Sequence, residues 1–90
     1  STAGSICSAA EVIHSHGAKA IYAAATHGVL IGPAVERLKA APFQGIVLTD
    51  SIPLATDTPL PNVTVLSVAS LLGQAIKRIH RNESVSMMFQ

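Results

Sequence analysis

Five small residues at the start of the chain, Ser1-Thr2-Ala3-Gly4-Ser5, lie immediately before a helical pattern. A glycine and hydroxyl side chains at a helix start bring free backbone N–H groups, the positive end of the helix dipole and O–H donors to one point, the combination that holds a phosphate. The same string serves as an ordinary helix N-cap, and the spacing alone leaves both readings open. The four histidines do not assemble into a metal set: His14 and His16 are two apart, on different faces of a helix, and His27 and His80 fall on other elements. His27, in ATHG, reads as a loop anchor through hydrogen bonding, and His80 as a favourable group at a helix C-terminus. Asp50 and Asp57 sit in a proline-rich stretch with no His or Lys aimed at them, so turn chemistry accounts for them better than base catalysis.

The elements that must position these groups follow from the apolar spacing. Ile6, Ala9, Ala10 and Ile13 predict a helix over 5–16, ended by Gly17 in a left-handed cap. Residues 19–25, KAIYAAA, read as a buried parallel strand. Pro33 opens a short helix carrying Val35 and Leu38, which stops before Pro42. GIVLT, 45–49, has the continuous apolar character of a strand covered on both faces. Pro53, Pro59 and Pro61 make the next stretch a surface loop. NVTVL, 62–66, is a third strand, and Ser67 caps a helix with a full stripe of Val68, Leu71, Leu72, Ala75, Ile76 and Ile79. Val85 reads as strand-like and precedes an apolar Met87-Met88-Phe89 cluster.

The order α-β-α-β-β-α predicts an α/β fold, a mostly parallel sheet with helices on both faces. Ninety residues allow one domain, 1–90. Such a fold opens on a strand, so a chain opening on its helix reads as truncated on the N-terminal side. Apolar residues make up 49%, charged residues 12%, aromatics 3%, and alanine occurs 14 times, so small aliphatic side chains supply the buried surface and apolar patches should remain uncovered. That composition predicts a chain that pairs with itself or aggregates. A net charge of +1 argues against nucleic-acid binding, and no apolar run approaches a membrane span. Cys7 is alone, which excludes an intrachain disulfide and points to a reducing, cytoplasmic setting.

STAGSI resembles the second half of the phosphoribosyl diphosphate (PRPP) loop of type I phosphoribosyltransferases. GAKAIYAAATHGVLIGPAVERL, IVLTDSIPL, NVTVLSVASLLGQAIKRIH and NESVSMMF together resemble successive blocks of the C-terminal domain of the PRPP synthetase (ribose-phosphate diphosphokinase) family, over essentially the whole chain. The resemblance implies a phosphoribosyltransferase-like fold and a parent enzyme that moves the diphosphoryl group of ATP, with Mg²⁺, onto ribose 5-phosphate for nucleotide biosynthesis. It implies that Ser1, Thr2, Ala3, Gly4 and Ser5 bind the 5-phosphate, and that this loop would also take phosphate or sulfate. Ser1 stands where Asp is frequent, Ala3 where Gly or Cys is, and Ser5 where Thr is. Ser84, Val85 and Ser86 correspond to a regulatory phosphate or ADP site between subunits, their alternative being an edge strand with an apolar plug. Leu30-Ile31 departs from the aromatic-Ser pair common in the family.

The acidic pair that grips the ribose, most of the ATP site and the metal-binding groups have no counterpart within these residues. The chain alone is therefore expected to hold neither Mg²⁺ nor ATP and to be inactive, with no catalytic residue of its own. Two other readings remain: a catalytically dead, PRPP synthetase-like regulatory subunit, and a plain type I phosphoribosyltransferase, against which the ESVS tail argues.

Overall fold

The computed structural model describes residues 2–54, 60 and 62–90; Ser1, Asp57, Pro59 and Pro61 lie outside the described residues. Helix α1 spans Gly4–Ser15, strand β1 Tyr22–Ala25, helix α2 Ala34–Ala40, strand β2 Gly45–Thr49, strand β3 Val63–Leu66 and helix α3 Ala69–His80, and a single 3₁₀ turn covers Ser86–Phe89.

Gly17 ends α1 as expected, at φ 97. Its N–H donates to His14 O and the Ala18 N–H reaches back to Ile13 O, the paired bonds of a left-handed helix stop. Asn82, at φ 56, does the same for α3, with Glu83 N–H donating to Arg78 O at 2.8 Å. The N-terminus of α3 is held from two sides. The Ser67 hydroxyl accepts the Ala69 N–H at 3.1 Å, and the Asp50 carboxylate accepts the Val68 N–H at 2.8 Å across 18 positions. Asp50 therefore does more than make a turn: it fastens α3 to the end of β2.

The three strands lie in the order β1-β2-β3, all parallel, with Ala23 opposite Ile46 and Ile46 opposite Val63. Parallel neighbours need a long connection, and 13 residues, 50–62, separate β2 from β3 in the sequence. Ile46 and Leu48 point to one face and join Leu38 of α2 in the core, with Ala3, Cys7, Leu30 and Phe43 packed against them.

Three expectations change here. The strand expected over 19–25 is confined to Tyr22–Ala25, and it is an edge strand whose residues stay largely in solvent, Ile21 just before it being the buried one. Coverage on both faces is met on one face only: Ala24 and Thr64 are exposed and Val47 is half-buried on the other. Helix α3 keeps its apolar stripe but buries none of it. Finally, Val85 is not in a strand. Its backbone is helical, at φ −72 and ψ −32, and it opens the 3₁₀ turn through the Met88 N–H bond to its carbonyl. The radius of gyration, 16.5 Å, exceeds the roughly 12 Å of a compact chain this long. Among the described residues no helix is long and apolar enough to cross a membrane.

Candidate functional site: the turn before the first helix

The residue that starts α1 decides what its N-terminus can bind. Ala3 is the N-cap and has no side-chain donor or acceptor, so it makes no capping hydrogen bond, and the first turn carries no acidic residue. The first bond of the helix runs from Cys7 N–H to Ala3 O. The amides of Gly4, Ser5 and Ile6 are therefore left over among the described residues, as first-turn amides are. An ordinary N-cap would have satisfied one of them; this one leaves them to something else.

Ala3 also adopts the left-handed conformation, φ 63 and ψ 13. A side chain there costs about 1–2 kcal/mol, which is why the position suits glycine. A left-handed residue followed by the right-handed Gly4 turns successive N–H groups toward one side, a concave anion nest. The exposed hydroxyls of Thr2 and Ser5 flank it. Gly4 lies close under Arg37: a Cβ there would meet Arg37 Nη1 at 3.0 Å and Thr2 Oγ1 at 3.8 Å, so the arginine would have to shift slightly.

Two spaces adjoin this turn. An open groove of about 670 Å³ runs along α1 and α2 and is lined by Ser5, Cys7, Ser8, Glu11 and Arg37. Burial raises the Cys7 thiol above its ordinary pKa, against the lowering effect of the Arg37 charge, and Glu11 adds to the rise. A smaller apolar cavity of about 150 Å³ lies between Ala3, Ile6, Ala25 and His27, which sets the turn beside the carboxyl end of β1.

That end of the sheet is locked by a polar cluster. The Ser51 hydroxyl donates to Thr26 O at 2.9 Å, which makes the imidazole Nδ1–H of His27 the donor to Ser51 Oγ at 2.7 Å. The Thr49 hydroxyl donates to the same carbonyl and accepts the Ser51 N–H at 3.2 Å. His27 is thus the loop anchor its sequence context indicated. Asp50 turns away to α3, and the Val68 N–H first and the neighbouring Ser67 hydroxyl second hold its carboxyl below the usual aspartate pKa.

Ser84, Val85 and Ser86 form a separate locus. The two hydroxyls meet at 2.8 Å, Arg78 Nη1 donates to Ser84 O at 3.0 Å, and Arg78 approaches Glu83 at 3.8 Å. Thr2 to Ser5 come together at the first locus, Ser84 to Ser86 at the second, and no hydrogen bond joins the two sets among the described residues. Ser1 lies outside the described residues. Nor do three His, Cys, Asp or Glu side chains gather as a metal set among those described. Sequence reasoning missed Arg37 and the capping role of Asp50, because both act on residues distant in the chain and no local periodicity marks such a partner.

The architecture is that of a parallel α/β unit, a class of fold in which ligands commonly bind beside the carboxyl ends of the strands. The particular family is shown by comparison: residues 2–90 match the model of the phosphoribosyl synthetase-associated domain, and the chain belongs to that family. It is 57% identical over 90 residues, all of this chain, to a ribose-phosphate pyrophosphokinase of Rhodopirellula baltica. It is 52% identical over 88 residues, 98% of this chain, to one of Caldanaerobacter subterraneus subsp. tengcongensis. In each case the chain spans about 28% of the relative's length. The crystal structure of a phosphoribosylpyrophosphate synthetase from Mycobacterium smegmatis matches with a TM-score of 0.86 and 38% identity, over 90% of this chain and 27% of that one. The resemblance to the PRPP synthetase family is borne out.

Proposed function

We propose that this chain is the part of a ribose-phosphate pyrophosphokinase that holds the 5-phosphate of ribose 5-phosphate while the diphosphoryl group of ATP is transferred to the anomeric hydroxyl. The observation that carries this is the uncapped, left-handed start of α1, which leaves the Gly4, Ser5 and Ile6 amides without acceptors among the described residues. The Thr2 and Ser5 hydroxyls add donors, and Ser1 completes the loop in this reading. The work of these residues is positioning: an anchored phosphate fixes where the ribose hydroxyl lies, and a fixed geometry removes much of the entropic barrier to transfer.

Magnesium supplies charge stabilisation in such a transfer. The described residues offer no donor set for it, so no step is assigned to a metal or to ATP within this chain. Ser84, Val85 and Ser86, with Arg78 beside them, are proposed as a regulatory phosphate or ADP site. The uncovered apolar residues of α3 support assembly of the protein as a homo-oligomer; a cytoplasmic setting is part of the same proposal.

The test replaces the matching segment of the Rhodopirellula baltica enzyme with these 90 residues. PRPP formation in a magnesium-containing assay should persist in the chimera, and Ser5→Ala should raise the KM for ribose 5-phosphate more than it lowers kcat. The isolated chain should give no product above a protein-free control. A chimera that assembles normally yet makes no PRPP would favour the regulatory-subunit reading instead.

A further inference from the structure

One side chain of α2 reaches across to the turn before α1. Arg37 Nη1 donates to the Thr2 carbonyl at 3.3 Å, 35 positions away, and it occupies the space that a side chain on Gly4 would need. Its guanidinium makes no ion pair among the described residues; the neighbouring Glu36 lies 3.9 Å from Lys39 instead. Glu11, across the shared groove, is not within ion-pair distance either.

The consequence follows from peptide planarity. In a trans peptide the C=O and the following N–H point in opposite directions. A Thr2 carbonyl held toward α2 therefore turns the Ala3 N–H away from α2, to the opposite side of the turn. The left-handed state of Ala3 sets the Gly4 amide beside it. Alanine does not hold that state unaided, and a flip of the Thr2–Ala3 peptide would put a carbonyl oxygen where the nest needs a donor.

We propose that Arg37 is a positioning residue of the phosphate loop, acting through the Thr2 carbonyl rather than by touching the anion. It fixes the Thr2–Ala3 peptide in the orientation that presents N–H groups, and a side chain at position 4 would crowd its guanidinium. The inference rests on the reading of residues 2–5 as the 5-phosphate loop.

The experiment uses the isotopically labelled 90-residue chain and inorganic phosphate. Two quantities are read: the Ala3 amide-to-α-proton coupling, which reports φ without any ligand, and the phosphate affinity from amide shifts at Gly4, Ser5 and Ile6. Arg37 is exposed on its helix, so Arg37→Ala should leave the β2 resonances in place. Arg37→Ala is expected to shift the Ala3 coupling toward negative φ and weaken phosphate binding about three- to tenfold, the scale of one ordinary net hydrogen bond. Arg37→Lys should restore part of both. In an Ala3→Gly background the loss should shrink, because glycine takes the left-handed state without a steric cost.

An unchanged Ala3 coupling in Arg37→Ala, or an equal loss of affinity in both backgrounds, would overturn the proposal, the second result marking Arg37 as a direct anion ligand. If the original chain shows no phosphate response at all, the 5-phosphate reading fails, and the Ala3 coupling still judges the brace.

Discussion

The region built from α1, α2 and the sheet and the region built from α3 and the 3₁₀ turn carry comparable apolar patterns, yet only the first closes over them. Leu38, Ile46 and Leu48 are 4–5% exposed, whereas Ile76 and Ile79 are 66–67% exposed and Phe89 70%. Both regions are nonetheless well-formed locally. α3 has its N-terminus held by Asp50 and Ser67 and its C-terminus closed by Asn82, so capping defines the helix while its stripe finds no cover within the described residues. Amphipathic spacing reports which face needs cover and does not report where the cover comes from.

Truncating one side chain in each region gives the largest contrast. Leu48→Ala should cost about 2–5 kcal/mol, a range that rivals the whole stability of a small domain. Ile76→Ala should change the unfolding free energy of the dilute, dissociated chain by less than about 0.5 kcal/mol, as exposed substitutions do. Equal effects would mean that α3 is buried in solution.

The second contrast concerns association. At tens of micromolar protein, an order-of-magnitude choice for weak contacts, light scattering should find the chain self-associated, and Leu72→Glu with Ile76→Glu should yield a smaller species whose urea midpoint matches that of the original chain at a dilution where it is dissociated. A monodisperse monomer before substitution would count against the uncovered face as an association surface. Within the packed region, Ala3→Gly should raise stability by about 0.5–1 kcal/mol, since relief of the left-handed strain outweighs the added freedom of the unfolded chain. A lower midpoint would show that Ala3 is not left-handed.

The smallest effect is the acid response at the junction of the two regions. The Asp50 carboxyl is held below its ordinary pKa by the Val68 N–H and the Ser67 hydroxyl. Its hold on α3 is therefore complete above the unfolded aspartate value of about 3.9 and is lost as pH falls through the lower folded value. The Val68 amide shift should titrate with that depressed midpoint, and Asp50→Asn should remove the transition. A midpoint at or above the ordinary value would contradict the cap.

Much of this was legible in the residues. The α1 stripe, the Gly17 stop, the GIVLT strand and the order of elements came from spacing and turn chemistry, because each is a local signal. The exposure of β1 was not legible: KAIYAAA has the apolar content of a central strand, and only the sheet order makes it an edge. Val85 has strand preference, but the Ser84 and Ser86 hydroxyls and the bond from Met88 bend it into a 3₁₀ turn. At the candidate site, Thr2 to Ser5 were readable as a phosphate turn through their resemblance to known loops. The left-handed Ala3 and the reach of Arg37 depend on contacts made across the fold, which no window of sequence contains.

The central claim is that the start of α1, rather than the basic end of α3, is the anion site. Titration of the labelled chain with inorganic phosphate tests it directly, because the two regions report on separate amides. The Gly4, Ser5 and Ile6 amides should move together with a Kd in the millimolar range, about 4 kcal/mol of binding, as one open helix end provides. If those amides stay still while only the residues around Lys77, Arg78 and Arg81 respond, the phosphate loop is not where this account puts it.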